Sequence, residues 1–368
     1  STIEAMLRAA LFLLTASVVW AQPAVESEFI FPLEEWHNHS SSIVEFPSGE
    51  LFVVWFHGSG ERRADDVRVM GARRPAGSKT WSEPFVVADY PGFPDTNCTL
   101  FLDRQNRLWL FWMTFLANEV ETTVINYRVS SSYEGLAGPP VWQRQELMLL
   151  HHDLDRFAAK VREASAPLLP DASPERADYL VRLMDNAADK YRSRTGWMVR
   201  THPVQLRSGR ILVGLYSDLY DFSLVAISDD DGQTWRPSEP MVGFGNVQPG
   251  FVRKKDGSLD AYMRDNGLAP KRIPRAESHD DGETWSAVVD TAMPNPGASV
   301  EPITLSNGDW LLVYNDLEEG RHSLAVSLST DEGASWSEPR YLDRSRPGTG
   351  SYNYPSVIQA RDGSIHVT

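Results

Sequence analysis

One acidic pattern recurs three times along the chain. It reads SDDDGQTW from Ser228 to Trp235, SHDDGETW from Ser278 to Trp285 and STDEGASW from Ser329 to Trp336. Asp side chains can accept from backbone amides one or two residues on, and Gly adopts positive φ without steric cost, so each copy encodes a tight, self-supporting turn. The closing Trp offers a large apolar face that can pin the turn onto a sheet. Spacing constrains the fold more than the turn does: the leading serines lie 50 and 51 residues apart. A fixed period of this size signals a repeat architecture, and four-stranded propeller blades fall in that range.

A second repeat interleaves with the first. Six stretches (42–56, 99–113, 204–216, 250–263, 303–314 and 356–368) join two apolar runs through a short polar turn, as in SIVEFPSGELFVVWF and ITLSNGDWLLVY. Each reads as a β-hairpin. One unit is then strands A and B, followed by strands C and D joined by the acidic turn. Blade 1 carries a worn copy, RPAGSKTW, ending at Trp81, and blade 2 only a trace around Trp142. The expected fold is all-β, a six-bladed β-propeller over 28–368. The sixth hairpin stops at Thr368 in mid-strand. Either further residues or the strand-like EFIF at 28–31 would complete the ring, and further residues are expected because one strand cannot replace two or three.

Residues 151–195 break the pattern and predict a helical insertion between blades 2 and 3. Ser173 can cap, Pro174 suits a first helical turn, and Tyr179, Leu180, Leu183, Met184 and Ala187 recur at helical spacing. Such a segment can be a packing appendage or a lid over a pocket.

Composition bounds the partners. A net charge of −15 argues against nucleic acid and anionic membranes. At the N-terminus, Arg8 precedes the apolar run AALFLLTASVV, and VWA before Gln22 fits a cleavage site after Ala21, so residues 1–21 read as a signal peptide and export to the periplasm or medium is expected. No later run is apolar enough to span a bilayer. Cys98 is the single cysteine, in a strand-like run, and reads as a buried inert thiol. No metal-ligand spacing or phosphate loop occurs, so no cofactor is expected, and the protein is expected to be a monomer.

Propeller topology says which residues converge. Strand A lines the axis, and residues just before A and just after B meet on the face opposite the acidic turns, which are therefore structural. Just before A come His39, Asn97, His202, Gln248, Glu301 and Tyr354. Four of these precede Pro (203, 249, 302 and 355), which should hold them extended and aim them reproducibly. After the B strands come Glu61, Arg62 and Asp66, then Asp218, Arg264 with Asp265, and Asn315 with Asp316. Arg200 precedes His202 by two and so points to the same side. Arg62, Arg200 and Arg264 suit bidentate recognition of a carboxylate, while Glu61, Asp66, Asp265 and Glu301 offer acids and bases.

The acidic turns match the Asp-box, S-x-D-x-G-x-T-W, with Ser335 replacing Thr in the third copy. The chain therefore resembles sialidases and related propellers with BNR repeats over roughly residues 36–368. The stretches HSSSIVEFPSGELFVVWFHGSGE, NVQPGFVRKKDGSLDAYMRD and SYNYPSVIQARDGSIHVT are similar to the bacterial exo-α-sialidase-like subgroup. The resemblance implies a pocket with three arginines on a substrate carboxylate, an acid/base Asp, and a Tyr nucleophile activated by Glu. Arg200 and Arg264 match the clamp, and Tyr352 or Tyr354 the phenol. Where sialidases open blade 1 with Arg-Ile-Pro, this chain has HNHSSSIV, with His39 nearest the axis; its Arg272-Ile273-Pro274 follows a B strand. Glu61, Asp65 and Asp66 compete for the acid.

Three functions are expected from these residues. The first is an exo-glycosidase removing a terminal acidic sugar from a glycan, with Arg200, Arg264 and Arg62 binding, Glu61 or Asp66 as acid, and Tyr354 as nucleophile with Glu301 as its base. The second is a polysaccharide lyase acting beside a uronic acid, with His39 or His202 removing the C5 proton. The third is a glycan-binding propeller without catalysis. Asn97, Asp218, Gln248, Asp265, Asn315 and Tyr352 are expected to line the sugar.

Overall fold

The computed structural model describes residues 25–368; the expected signal peptide lies outside the described residues. Blade 1 is β1 (His37–Glu45), β2 (Leu51–Gly58), β3 (Arg68–Arg74) and β4 (Phe85–Ala88), and blade 2 is β5 (Asp95–Leu102), β6 (Leu108–Phe115), β7 (Thr123–Ser130) and β8 (Arg144–Leu147). In blade 3, β9 (Met198–Val199) and β10 (Val204–Gln205) both pair with β11 (Ile211–Ser217), followed by β12 (Phe222–Ser228) and β13 (Arg236–Pro237). Blade 4 is β14 (Asn246–Arg253), β15 (Leu259–Asp265), β16 (Arg272–Ser278) and β17 (Val289–Pro294). Blade 5 is β18 (Glu301–Thr304), β19 (Trp310–Tyr314), β20 (Ser323–Ser329) and β21 (Arg340–Arg344). All neighbours pair antiparallel.

The result is an all-β propeller arrangement of five blades. A sixth sheet holds two strands, β22 (Val357–Gln359) and β23 (Ile365–Val367), the hairpin expected over 356–368. It sits between blades 5 and 1: β22 packs on both β18 and β1, and Arg361 binds the Glu45 side chain and the Pro47 carbonyl. Residues 28–31 form no strand; Phe31 stacks on Trp55 of blade 1 instead.

The acidic turns fold alike. In each, the Ser hydroxyl accepts from the Gly amide (Ser228–Gly232 2.8 Å, Ser278–Gly282 3.0 Å, Ser329–Gly333 2.8 Å). The Asp carboxylate accepts from the backbone amide and hydroxyl of Thr234, Thr284 or Ser335. Asp231, Asp281 and Glu332 take φ of 56–57°, and the glycine after each is also left-handed. Each turn also reaches the preceding blade. The Gly232 carbonyl accepts from Tyr127 (2.7 Å) and Arg144 (2.6 Å) of blade 2, Arg210 of blade 3 donates to the Asp281 carbonyl (3.1 Å), and Glu332 accepts from the Lys255 amide of blade 4 (2.6 Å). The turn is thus a staple between blades as well as a cap on its own.

Between β8 and β9 lie α1 (Leu154–Ser165), α2 (Pro174–Ala188) and the short α3 (Lys190–Arg194). Ser173 caps α2 by accepting from the Arg176 amide, with Pro174 in the first turn. Leu180, Leu183 and Ala187 are buried in one core with Phe157, Trp197, Tyr220 and Phe222. No helix among the described residues is long and apolar enough to cross a membrane.

Candidate active site

The structure sorts the nominated residues into those that line a cavity, those buried beneath it and those that stand apart. A cavity of about 220 Å³ opens on the face away from the acidic turns. His39, Glu61, Arg62, Asn97, Asp218, Arg264 and Tyr354 line it, joined by Tyr216, Asn266 and an apolar wall of Phe56, Met113, Phe115 and Met198. None of the lining residues comes from the helices, so α1 and α2 are packing against blade 3 and not a wall of this cavity.

Tyr354 is the centre of the site. Its hydroxyl accepts from Nη1 of Arg264 at 2.8 Å. The guanidinium carbons of Arg200, Arg264 and Arg321 lie 5.3, 5.9 and 5.9 Å from its ring centroid, within cation–π range. The imidazole of His39 meets the ring edge-on at 4.5 Å. Burial, and after it the positive charges of Arg200, His37, Arg321 and Arg264, push the His39 imidazole down to about 3, so it is neutral at physiological pH. Its Nδ1 is buried without a hydrogen-bond partner.

The rim is charged. Arg62 pairs with Asp218 at 3.0 Å, bridging the loops after β2 and β11. Glu61 is exposed and 3.3 Å from His37. Asp66, a candidate acid, is exposed and caps its own loop, accepting from the Ser59 amide (3.1 Å) and hydroxyl (2.9 Å); these bonds hold its carboxyl below the usual range. Asp65 accepts from Asn118. Of the three competing carboxylates, only Glu61 lines the cavity.

The second layer is buried beneath. Arg200 is 1% exposed and donates to the carbonyls of Ser41, Tyr354 and Pro355; it braces the backbone and does not line the cavity. Glu301 was expected to be the base for Tyr354. Both of its oxygens are engaged elsewhere: Oε1 with Nδ1 and the amide of His202, each at 2.8 Å, and Oε2 with the Val357 amide at 2.9 Å. His202 is likewise consumed by this pair. Gln248 is fully buried and its side-chain amide has no hydrogen-bond partner; the Tyr216 phenol accepts from Asn97 at 2.9 Å.

Three nominated residues stand apart from the cavity. Asp265 accepts from the amides of Gly267 and Arg272, Asn315 donates to the carbonyls of Ser323 and Tyr352, and the Tyr352 hydroxyl meets Ser345 at 2.7 Å. Each ties down a loop. Cys98 is fully buried, and burial raises its thiol to about 12, as an inert core residue requires.

The proline argument also needs correction. Gln248 and Tyr354 precede proline yet take φ of 59° and 53°, and Ser40 (55°) and Asn97 (33°) are left-handed at matching positions. The register of β1, β5 and β14 slips at His39/Ser42, Thr96/Thr99 and Val247/Gly250. These bulges turn the chain into the axis, and non-glycine residues held there store strain of about 1–3 kcal/mol each. Arg321 carried no signal in the sequence because it lies seven residues beyond the end of β19, ahead of β20, and not directly after the B strand. It donates to Asn353 and the Gly297 carbonyl, both at 2.6 Å.

Comparison with known proteins agrees with the propeller fold. A family model described as a BNR repeat-like domain matches residues 49–151 and 192–367; the gap between the two parts holds α1 and α2. No curated protein sequence matches. The NanB sialidase of Streptococcus pneumoniae superposes with a TM-score of 0.64 at 14% identity, over 90% of this chain and 64% of that one, so the chain spans less than two thirds of that enzyme. An intramolecular trans-sialidase from Ruminococcus gnavus gives 0.63 at 14%, covering 90% and 89%. A protein of unknown function from Dyadobacter fermentans gives 0.62 at 16%, covering 92% and 95%. At such identities the structures show a shared fold. With the family model spanning most of its length, this chain belongs to the BNR repeat-like domain family.

Proposed function

We propose that this protein is a carbohydrate-active enzyme that removes a terminal acidic sugar from a glycan, an exo-glycosidase of the sialidase type. The observation that carries this reading is the convergence of guanidinium groups on Tyr354 at a cavity of about 220 Å³, below the ~300–1,000 Å³ of sites for larger ligands and suited to one sugar ring. Arg264, which lines the cavity, would hold the carboxylate, with Arg62 at the rim and the charge of Arg321 behind the Tyr354 ring. Glu61 would protonate the leaving oxygen as Tyr354 attacks the anomeric carbon, the phenolic proton passing to solvent; water, giving a proton to Glu61, would then attack the same carbon, and the Tyr354 oxygen would depart and regain a proton from solvent. A phenol is a sensible nucleophile here because it carries no charge to repel an anionic sugar, and sialidases depart from the two-carboxylate pattern in this way. The two-stranded sixth sheet, seated between blades 5 and 1, supports a sixth blade closing the ring, and export follows from the N-terminal sequence. The substrates of the structural relatives support a glycan ligand.

One observation favours the lyase as a second reading: no carboxylate oxygen bonds the Tyr354 hydroxyl among the described residues, while the neutral His39 lies against its ring. In that chemistry arginine neutralises a uronate, His39 takes the C5 proton, the electron pair forms the C4–C5 double bond, and Tyr354 protonates the departing oxygen. Reporter sialosides and uronate-containing polysaccharides separate the two. Release of the free acidic sugar without new absorbance supports hydrolysis; absorbance from an unsaturated product supports elimination; binding without either outcome leaves a glycan-binding propeller.

A further inference from the structure

The layer beneath the cavity has a chemistry of its own. His202 sits between two acceptors. Its Nδ1 is 2.8 Å from the Glu301 carboxylate and its Nε2 is 2.9 Å from the Ile43 carbonyl. A carbonyl can only accept, and so can an ionised carboxylate, so both ring nitrogens must carry hydrogen: the arrangement calls for an imidazolium. Ser42 Oγ lies 3.2 Å from the same Nε2 and can accept a shared hydrogen.

The groups facing His202 are few. Glu301 comes from β18, Arg200 from the end of β9, and Ser42 with the Ile43 carbonyl from β1. Burial disfavours the imidazolium, but the charge and hydrogen bond of Glu301 and the bond to Ile43 outweigh both burial and Arg200, and the ring is held above its ordinary value. Burial likewise disfavours the Glu301 carboxylate, yet His202 and Arg200 hold it below the usual range. The result is a cation–anion–cation group, buried at Arg200 and Glu301 and partly exposed at His202.

This group grips the backbone around the catalytic phenol. Glu301 Oε2 takes the Val357 amide at 2.9 Å. Arg200 takes the Tyr354 and Pro355 carbonyls and, at 3.3 Å, that of Ser41. Tyr354, between these anchors, sits at φ 53°, a conformation that persists only where its surroundings impose it. Blades 1, 3 and 5 and the sixth sheet thus meet in one polar cluster.

We propose that His202, Glu301 and Arg200 form a proton-dependent lock that holds Tyr354 in its left-handed conformation, making His202 a positioning residue whose bound proton sets the upper pH limit of the site. This rests on the reading of Tyr354 as a catalytic residue. The lock is complete below the ordinary imidazole range near 6.5 and opens as pH rises through the elevated folded value of His202; on the acid side it opens as pH falls through the depressed folded value of Glu301.

The test combines a structural titration with kinetics. In protein with labelled histidine and tyrosine rings, the His202 ring nitrogens and the Tyr354 ring resonances are followed by NMR against pH, and kcat and KM are measured over the same range with an acidic-sugar reporter. The expected result is a His202 ring protonated on both nitrogens into the neutral range, with Tyr354 resonances shifting at the same midpoint. kcat should fall about tenfold per pH unit above that midpoint, the slope of one proton, with KM changing little. Glu301→Gln should move the midpoint down; Tyr354→Phe should abolish turnover and leave the His202 midpoint in place. If the Tyr354 resonances move with His202 but no acidic sugar is turned over, the lock stands and the proposed activity falls. If His202 titrates without moving Tyr354, or carries a single ring hydrogen at pH 6, the lock is overturned whatever the activity. The wild-type titration requires no variant to fold.

Discussion

Gly232 offers a sharp test of the idea that the acidic turns staple one blade to the next. It sits at φ 75°, and a Cβ placed on it would lie 2.8 Å from the buried Trp109 ring of blade 2. Gly77, in the worn turn of blade 1, has nearly the same φ of 74°, yet nothing lies within 4 Å of its Cβ position. Both should carry the backbone penalty of a left-handed alanine, about 1–2 kcal/mol. Only Gly232 should add the cost of overpacking a filled core, a further ~1–3 kcal/mol. Relief is blocked because Trp109 is itself fixed, with its Nε1 donating to the buried Asp103 carboxylate at 2.9 Å. Gly232→Ala should therefore cost about 2–5 kcal/mol and Gly77→Ala about 1–2. Urea unfolding of the two variants under identical conditions reads the difference. Equal losses would show that the turn is only a local cap, and the staple argument would fail with them.

Further predictions bear on the site. Arg264→Ala should weaken binding of an acidic sugar about 10–100-fold, from the loss of charge-assisted hydrogen bonds of ~1.5–3 kcal/mol; titration calorimetry with the acidic sugar and its methyl ester checks this, since the ester should discriminate little between wild type and variant. Asp66→Ala should leave kcat/KM near wild type while lowering stability by less than ~1 kcal/mol, because Asp66 caps its loop at the exposed surface; a large loss of activity would return it to the catalytic set. His39 takes up its proton near 6.5 when unfolded but only near 3 when folded, so the unfolded state binds more protons between these values and His39 makes stability fall as pH drops across that window. His39→Phe should flatten that part of the pH–stability curve, measured by unfolding at a series of pH values.

The propeller was legible because its repeating elements are local. An Asp-box closes its hydrogen bonds within eight residues, from Ser228 to Trp235, and each A–B hairpin closes through its own turn, so sequence period and structural period coincide. The helices were legible for the same reason, through Ser173 and Pro174 at the start of α2.

The site was legible only as far as topology reaches. Topology brings His39, Asn97, His202, Gln248, Glu301 and Tyr354 to one end of the axis, but depth there depends on φ and on partners far away in the chain. His202 and Glu301 are 99 residues apart, and Arg200 and Tyr354 154 apart. Electrostatics decides which groups descend. Arg200 could be buried because the Ser41, Tyr354 and Pro355 carbonyls and the Glu301 charge meet it; Glu301 because His202 and an amide do. A carboxylate spent in that way cannot also serve Tyr354 as a base. Reading the buried layer as structural therefore changes the chemistry required of the cavity above it: any proton leaving Tyr354 must pass to His39, to the substrate or to solvent.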